Sequence, residues 1–65
     1  MKKDATAGER LRKLRGSRSQ EEVAAAIGIS QSALCAYEND QRTPRDPIKV
    51  LIADYYRRSV QHIFF

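Results

Sequence analysis

The chain has 65 residues, 42% hydrophobic and 31% charged, with twelve Lys and Arg against eight Asp and Glu. That is one small domain, too apolar for wholesale disorder, whose fold hides only about 60% of the surface its unfolded form exposes. A single cysteine excludes an internal disulfide and a cysteine-built zinc site, and no apolar run is long enough to span a membrane.

The start, Met1-Lys2-Lys3-Asp4, lacks the apolar stretch of a secretory signal, so a soluble, cytoplasmic protein is expected. Residues 1–5 are expected to form a flexible basic arm, and residues 6–65 a single folded domain. The pattern there is helical throughout, without repeats or β-alternation. Thr6-x-x-Glu9 offers a capping box to a first helix carrying Ala7, Leu11 and Leu14, which Gly16 can end in a left-handed turn. Five bases, Arg10, Arg12, Lys13, Arg15 and Arg18, fall within nine residues of this region. With the formal charge of +4 and a pI near 9.6, they suit an acidic partner such as nucleic acid, though solvated basic surfaces are common.

Ser19-Gln20-Glu21-Glu22 is a second capping box, with Val23, Ala24 and Ile27 as the apolar stripe behind it and Gly28 as the stop. Ser30 can cap a third helix whose inward residues are Leu34 and Tyr37. The polar link "NDQRTPRDP" follows. Asp46 reads as an N-cap with Pro47 at the first helical position. Ile48, Leu51, Ile52 and Tyr55 give the fourth helix its inward face. Ser59 caps a short last helix with Val60, Ile63 and Phe64. Five short helices with brief links predict a compact all-α fold.

Two of these helices meet at Gly28. A helix pair joined by a three- to four-residue turn crosses at roughly 90–120°. The crossing needs a small residue at the approach (Ala24), a glycine able to take positive φ (Gly28), and apolar residues in the angle. Val23, Ile27, Ile29, Leu34 and Tyr37 supply the last. The spacing predicts a helix-turn-helix unit.

"SQEEVAAAIGISQSALCAYEN" resembles the helix-turn-helix of the Cro and phage-repressor (XRE) family of bacterial DNA-binding regulators. "GERLRKLR" is similar to the family's first helix, and "RTPRDPIKVLIADYYRRSVQHIFF" to the two helices that close its lambda-repressor-like five-helix fold. The resemblance implies that the helix from Gln31 lies in the DNA major groove, which admits an α-helix. Its outward face then carries the base contacts Gln31, Ser32, Cys35 and Ala36, with Gln31 placed to pair with adenine. It implies phosphate contacts for Gln20, Asn39, Arg42 and Arg45, and a structural pair of Arg15 with Glu38. Asp40 and Arg57 depart from the pattern, standing where glycines are common.

Each assignment has a plainer counterpart. Gln31 and Gln20 can be solvated helix starts, Arg42 and Arg45 solubilising charge, and Arg15 a phosphate-facing base. Cys35 can be a passive thiol or an oxidation switch, and His62 belongs to the surface. Tyr56 and Phe65 are dimer-contact candidates, or else they cap their own core. The sequence-level expectation is a DNA-binding repressor working as a homodimer on double-stranded DNA, with no cofactor, metal, small-molecule ligand or membrane. The rival is an antitoxin or accessory protein whose main partner is a second protein. An enzyme has little support, with one His, one Cys and no nucleophile or paired-carboxylate constellation, and no aromatic platform for stacking RNA bases is evident.

Overall fold

The computed structural model describes residues 5–65; the expected basic arm, Ala5 apart, lies outside the described residues. Five helices follow in chain order: α1 Ala7–Arg15, α2 Gln20–Ile27, α3 Gln31–Glu38, α4 Asp46–Tyr56 and α5 Val60–Phe64. No strand occurs among the described residues, and no described helix is long and apolar enough to cross a membrane.

Side chains set the helix starts. The Thr6 hydroxyl accepts the Glu9 N–H while the Glu9 carboxylate accepts the Thr6 N–H, a complete capping box. Ser19, Ser30 and Ser59 accept the N–H groups of Glu22, Ala33 and His62, each at 3.0 Å. These bonds satisfy donors that have no partner inside the helix. At Ser19 only the serine half of the expected box is made. At α4 the expected start shifts by one residue. Arg45 takes the N-cap without a side-chain bond, Asp46 opens the helix, and Pro47 follows within the first turn. Proline fits there equally well, because every N–H of that turn lacks an intrahelical acceptor.

Ten apolar residues form the core: Leu11 from α1, Val23, Ala24 and Ile27 from α2, Leu34 and Tyr37 from α3, Ile52, Ala53 and Tyr56 from α4, and Ile63 from α5. Burying a side chain the size of Leu or Ile contributes about 1.5–3 kcal/mol. Two expectations for α4 are corrected here. Leu51 is 46% exposed rather than inward, and Tyr56, a dimer-contact candidate, is only 7% exposed and packs in the core. The helix buries Ile52, Ala53 and Tyr56, with Ile48 and Tyr55 partly buried against the core. Tyr55 stays at the edge, where its hydroxyl takes an Arg18 guanidinium N–H at 3.0 Å.

Two glycines serve the geometry. Gly28 takes φ 96°, ψ 27° and donates its N–H to Ala24 at 2.8 Å, so the chain reverses after α2 and delivers Ser30 to the start of α3. Gly8 serves a close approach: a Cβ there would collide with the Glu38 carbonyl oxygen, so α1 lies directly on the end of α3.

Candidate nucleic-acid interface

The turn at Gly28 leaves the first turn of α3 uncovered. Gln31 and Ser32 are exposed, while Cys35 and Ala36, one turn on, are half-buried. With Gln20 from α2 and Gln41 beyond α3 they line an open groove of about 280 Å3. All six lining side chains are uncharged. Three are primary amides, each offering a donor and an acceptor together. Gln41 was not singled out from the sequence. It arrives because Asp40 takes φ 59° and turns the chain back, letting the Gln41 N–H bond the Ala36 carbonyl at 2.9 Å. An aspartate where a left-handed residue is needed was the available signal.

The other expected contacts lie apart from this lining. Asn39 is exposed, but its amide is engaged internally: Nδ2 donates to Cys35 Sγ and Oδ1 accepts from Arg12, both at 3.4 Å. Arg42 and Arg45 are exposed on the α3–α4 connection. Arg42 also borders a second cavity, of about 200 Å3, with Asp40, Lys49, Phe64 and Phe65. Phe65 is 76% exposed.

Behind the groove lies a charged cluster. Glu38 is fully buried, and Arg15 grips its carboxylate with two bonds, Nε to Oε2 at 2.8 Å and Nη2 to Oε1 at 3.1 Å. The Gln20 amide donates to the same Oε1 at 2.9 Å. The hydrogen bond to Glu38 raises the Arg15 pKa further above its ordinary value, against a smaller opposing effect of burial. Burial, aided by the Glu38 charge, pushes the Tyr56 hydroxyl up to about 12.

The basic run of α1 is largely committed to the fold. Arg10 donates to the Ile63 carbonyl, Arg12 to the Glu38 carbonyl, and Arg18 to the carbonyls of Leu14 and Arg15. These are last-turn carbonyls of α5, α3 and α1, which lack intrahelical partners and carry the negative end of the helix dipole. Arginine satisfies them with a charge-assisted bond. The run therefore holds helices together instead of forming a free basic face, and of its five bases Lys13 is exposed without a bond among the described residues.

A family model described as Helix-turn-helix matches residues 9–63. No curated protein matches the chain. A crystal structure of the P22 c2 repressor protein, in complex with synthetic operator 9T in the presence of Tl+, superposes with a TM-score of 0.89. The match covers 94% of this chain and 96% of that one at 19% identity, a likeness of fold.

Proposed function

The chain belongs to the Cro and phage-repressor type helix-turn-helix family, and from that premise we propose that it is a sequence-specific double-stranded DNA-binding repressor acting as a homodimer. The observation that carries this reading is the uncovered, uncharged groove at the start of α3, where Gln31 and Ser32 stand free. A major groove of about 12 Å accepts such a helix, and a glutamine amide meets the paired donor and acceptor of adenine. Ser32 adds a hydroxyl able to bond either kind of base, and Ala36 a methyl for contact with thymine. Phosphates are met at the rim by Gln20, and from the loop by Arg42 and Arg45, which fix register without reading sequence. The P22 c2 repressor, similar in fold, is a protein in complex with a synthetic operator, which supports double-stranded DNA as the partner here.

Two copies would set their α3 helices in successive major grooves about 34 Å apart on a two-fold-related site. Phe65 keeps the dimer-contact role that buried Tyr56 loses. Selection from random duplex DNA tests the reading. The wild type is expected to enrich a motif with two related half-sites. Gln31→Ala should relax the preference at one base pair in each, by about 1–3 kcal/mol. A pool that enriches nothing rejects specific recognition; an unchanged preference in Gln31→Ala rejects the role of that side chain.

A further inference from the structure

We propose that Glu38, buried behind the groove, is a positioning residue for DNA binding: through Gln20 it fixes which atoms the groove rim shows to a duplex. This rests on the DNA-binding reading above. Glu38 cannot itself meet a duplex, being fully buried. Its carboxylate cannot turn, because Arg15 holds both oxygens and anchors its own Nη1 on the Arg18 carbonyl at 2.7 Å. The Gln20 amide therefore bonds a fixed oxygen, at 2.9 Å.

A carboxylate only accepts hydrogen bonds, so the nitrogen of the Gln20 amide must face it. The carbonyl oxygen and the second N–H are left for other partners, on a residue that already lines the groove with Gln31, Ser32 and Gln41. A free glutamine would lose rotamer freedom on meeting a phosphate or base. One already held loses little, so more of its interaction survives as affinity. Gln20 is thus the link through which a buried ion pair between α1 and α3 reaches the DNA side of the molecule.

The test is a double-mutant cycle on the duplex enriched by selection, under conditions where circular dichroism shows every variant folded. Gln20→Ala is expected to weaken binding. Glu38→Gln, which lacks the charge, should weaken it about five- to tenfold when Gln20 is present and less than about twofold in the Gln20→Ala background. Equal factors in both backgrounds mark a purely structural effect and overturn the proposal. So does unchanged affinity in Gln20→Ala, which leaves the DNA-binding reading standing; a pool that enriches no duplex overturns both. If Glu38→Gln does not fold, the free wild type decides by NMR. The Gln20 side-chain amide should be as ordered as rigid backbone, with an order parameter of about 0.85, while the Gln31 amide is mobile. Equal mobility of the two overturns the proposal.

Discussion

Tyr56 buries a hydroxyl that has no hydrogen-bond partner among the described residues. Its ring is held edge-on by Tyr55, with centroids 5.0 Å apart, and covered by the Arg18 guanidinium at 5.7 Å, so packing rather than polarity keeps it inside. An orphaned buried hydroxyl costs desolvation without a return. Tyr56→Phe is therefore expected to leave stability at pH 7 unchanged or raise it by up to about 1 kcal/mol. The pH dependence has a definite sign. The unfolded chain releases this proton near pH 10, while the fold keeps it until about 12. The native state then holds more protons than the unfolded one between those values. Wild-type stability falls across that window by at most about 1.4 kcal/mol per pH unit from this group. Tyr56→Phe has no proton to release, so its advantage should widen between pH 10 and 12. Urea unfolding of both proteins at pH 7 and pH 11 checks each part. A variant less stable at both would show that the hydroxyl has a partner, such as a buried water.

Asp40 and Arg57 both occupy left-handed backbone, with φ of 59° and 57°, at the ends of α3 and α4. The backbone angles are alike, but aspartate tolerates them better than arginine, and the side chains do different things. Asp40 reaches the start of α1, where Oδ1 accepts the Gly8 N–H at 3.0 Å and Oδ2 the Thr6 hydroxyl at 2.7 Å. Arg57 is exposed, and no bond of its side chain occurs among the described residues. Opposite responses to glycine follow. Arg57→Gly relieves the Cβ strain and should stabilise by about 0.5–1 kcal/mol. Asp40→Gly relieves less strain and removes a cap worth about 1–2 kcal/mol, and should be neutral to destabilising. Thermal unfolding of the two variants beside wild type measures the contrast. The sequence made the elements legible because their signals are local. Four hydroxyl caps, the glycine after α2 and the apolar spacing each act within a few residues. The inward face of α4 was misread because its pattern fits two rotations. Ile48 and Ile52 belong to both, Tyr55 stays partly buried against the core, and packing against the other helices buries Tyr56 while leaving Leu51 exposed. That Asp40 caps α1 from 32 residues away could not be read from local pattern at all.

Across the whole molecule, the groove was legible to the extent that it is built from one helix face, Gln31 through Ala36. Gln41 was not, since its place depends on the turn made by Asp40, nor was the commitment of Arg10 and Arg12 to helix ends, since that depends on which distant carbonyls the fold brings near. Those arginines tie α1 to α3 and α5, and the Arg15–Glu38 pair is the tie that carries charge into the interior. At roughly 0.05–0.15 kcal/mol per residue, a chain of this size has about 3–10 kcal/mol of total stability. Removing one partner of a buried pair leaves an uncompensated charge and costs about 3–5 kcal/mol. Arg15→Met should therefore bring the molecule close to its unfolding limit, because the Glu38 carboxylate is fully buried and Gln20 supplies only one neutral donor. Removing both charges is a different perturbation. Arg15→Met with Glu38→Leu puts apolar volume where the pair stood, and such replacements are often neutral or stabilising. The double variant is expected to unfold at a higher denaturant concentration than Arg15→Met alone, measured by circular dichroism in urea. If it is no more stable than the single variant, the arginine contributes through its bond to the Arg18 carbonyl and its packing, and not by neutralising Glu38. The same double variant retains the Gln31 face while releasing the Gln20 amide, so its binding to the selected duplex should weaken with base preference at the Gln31 position intact.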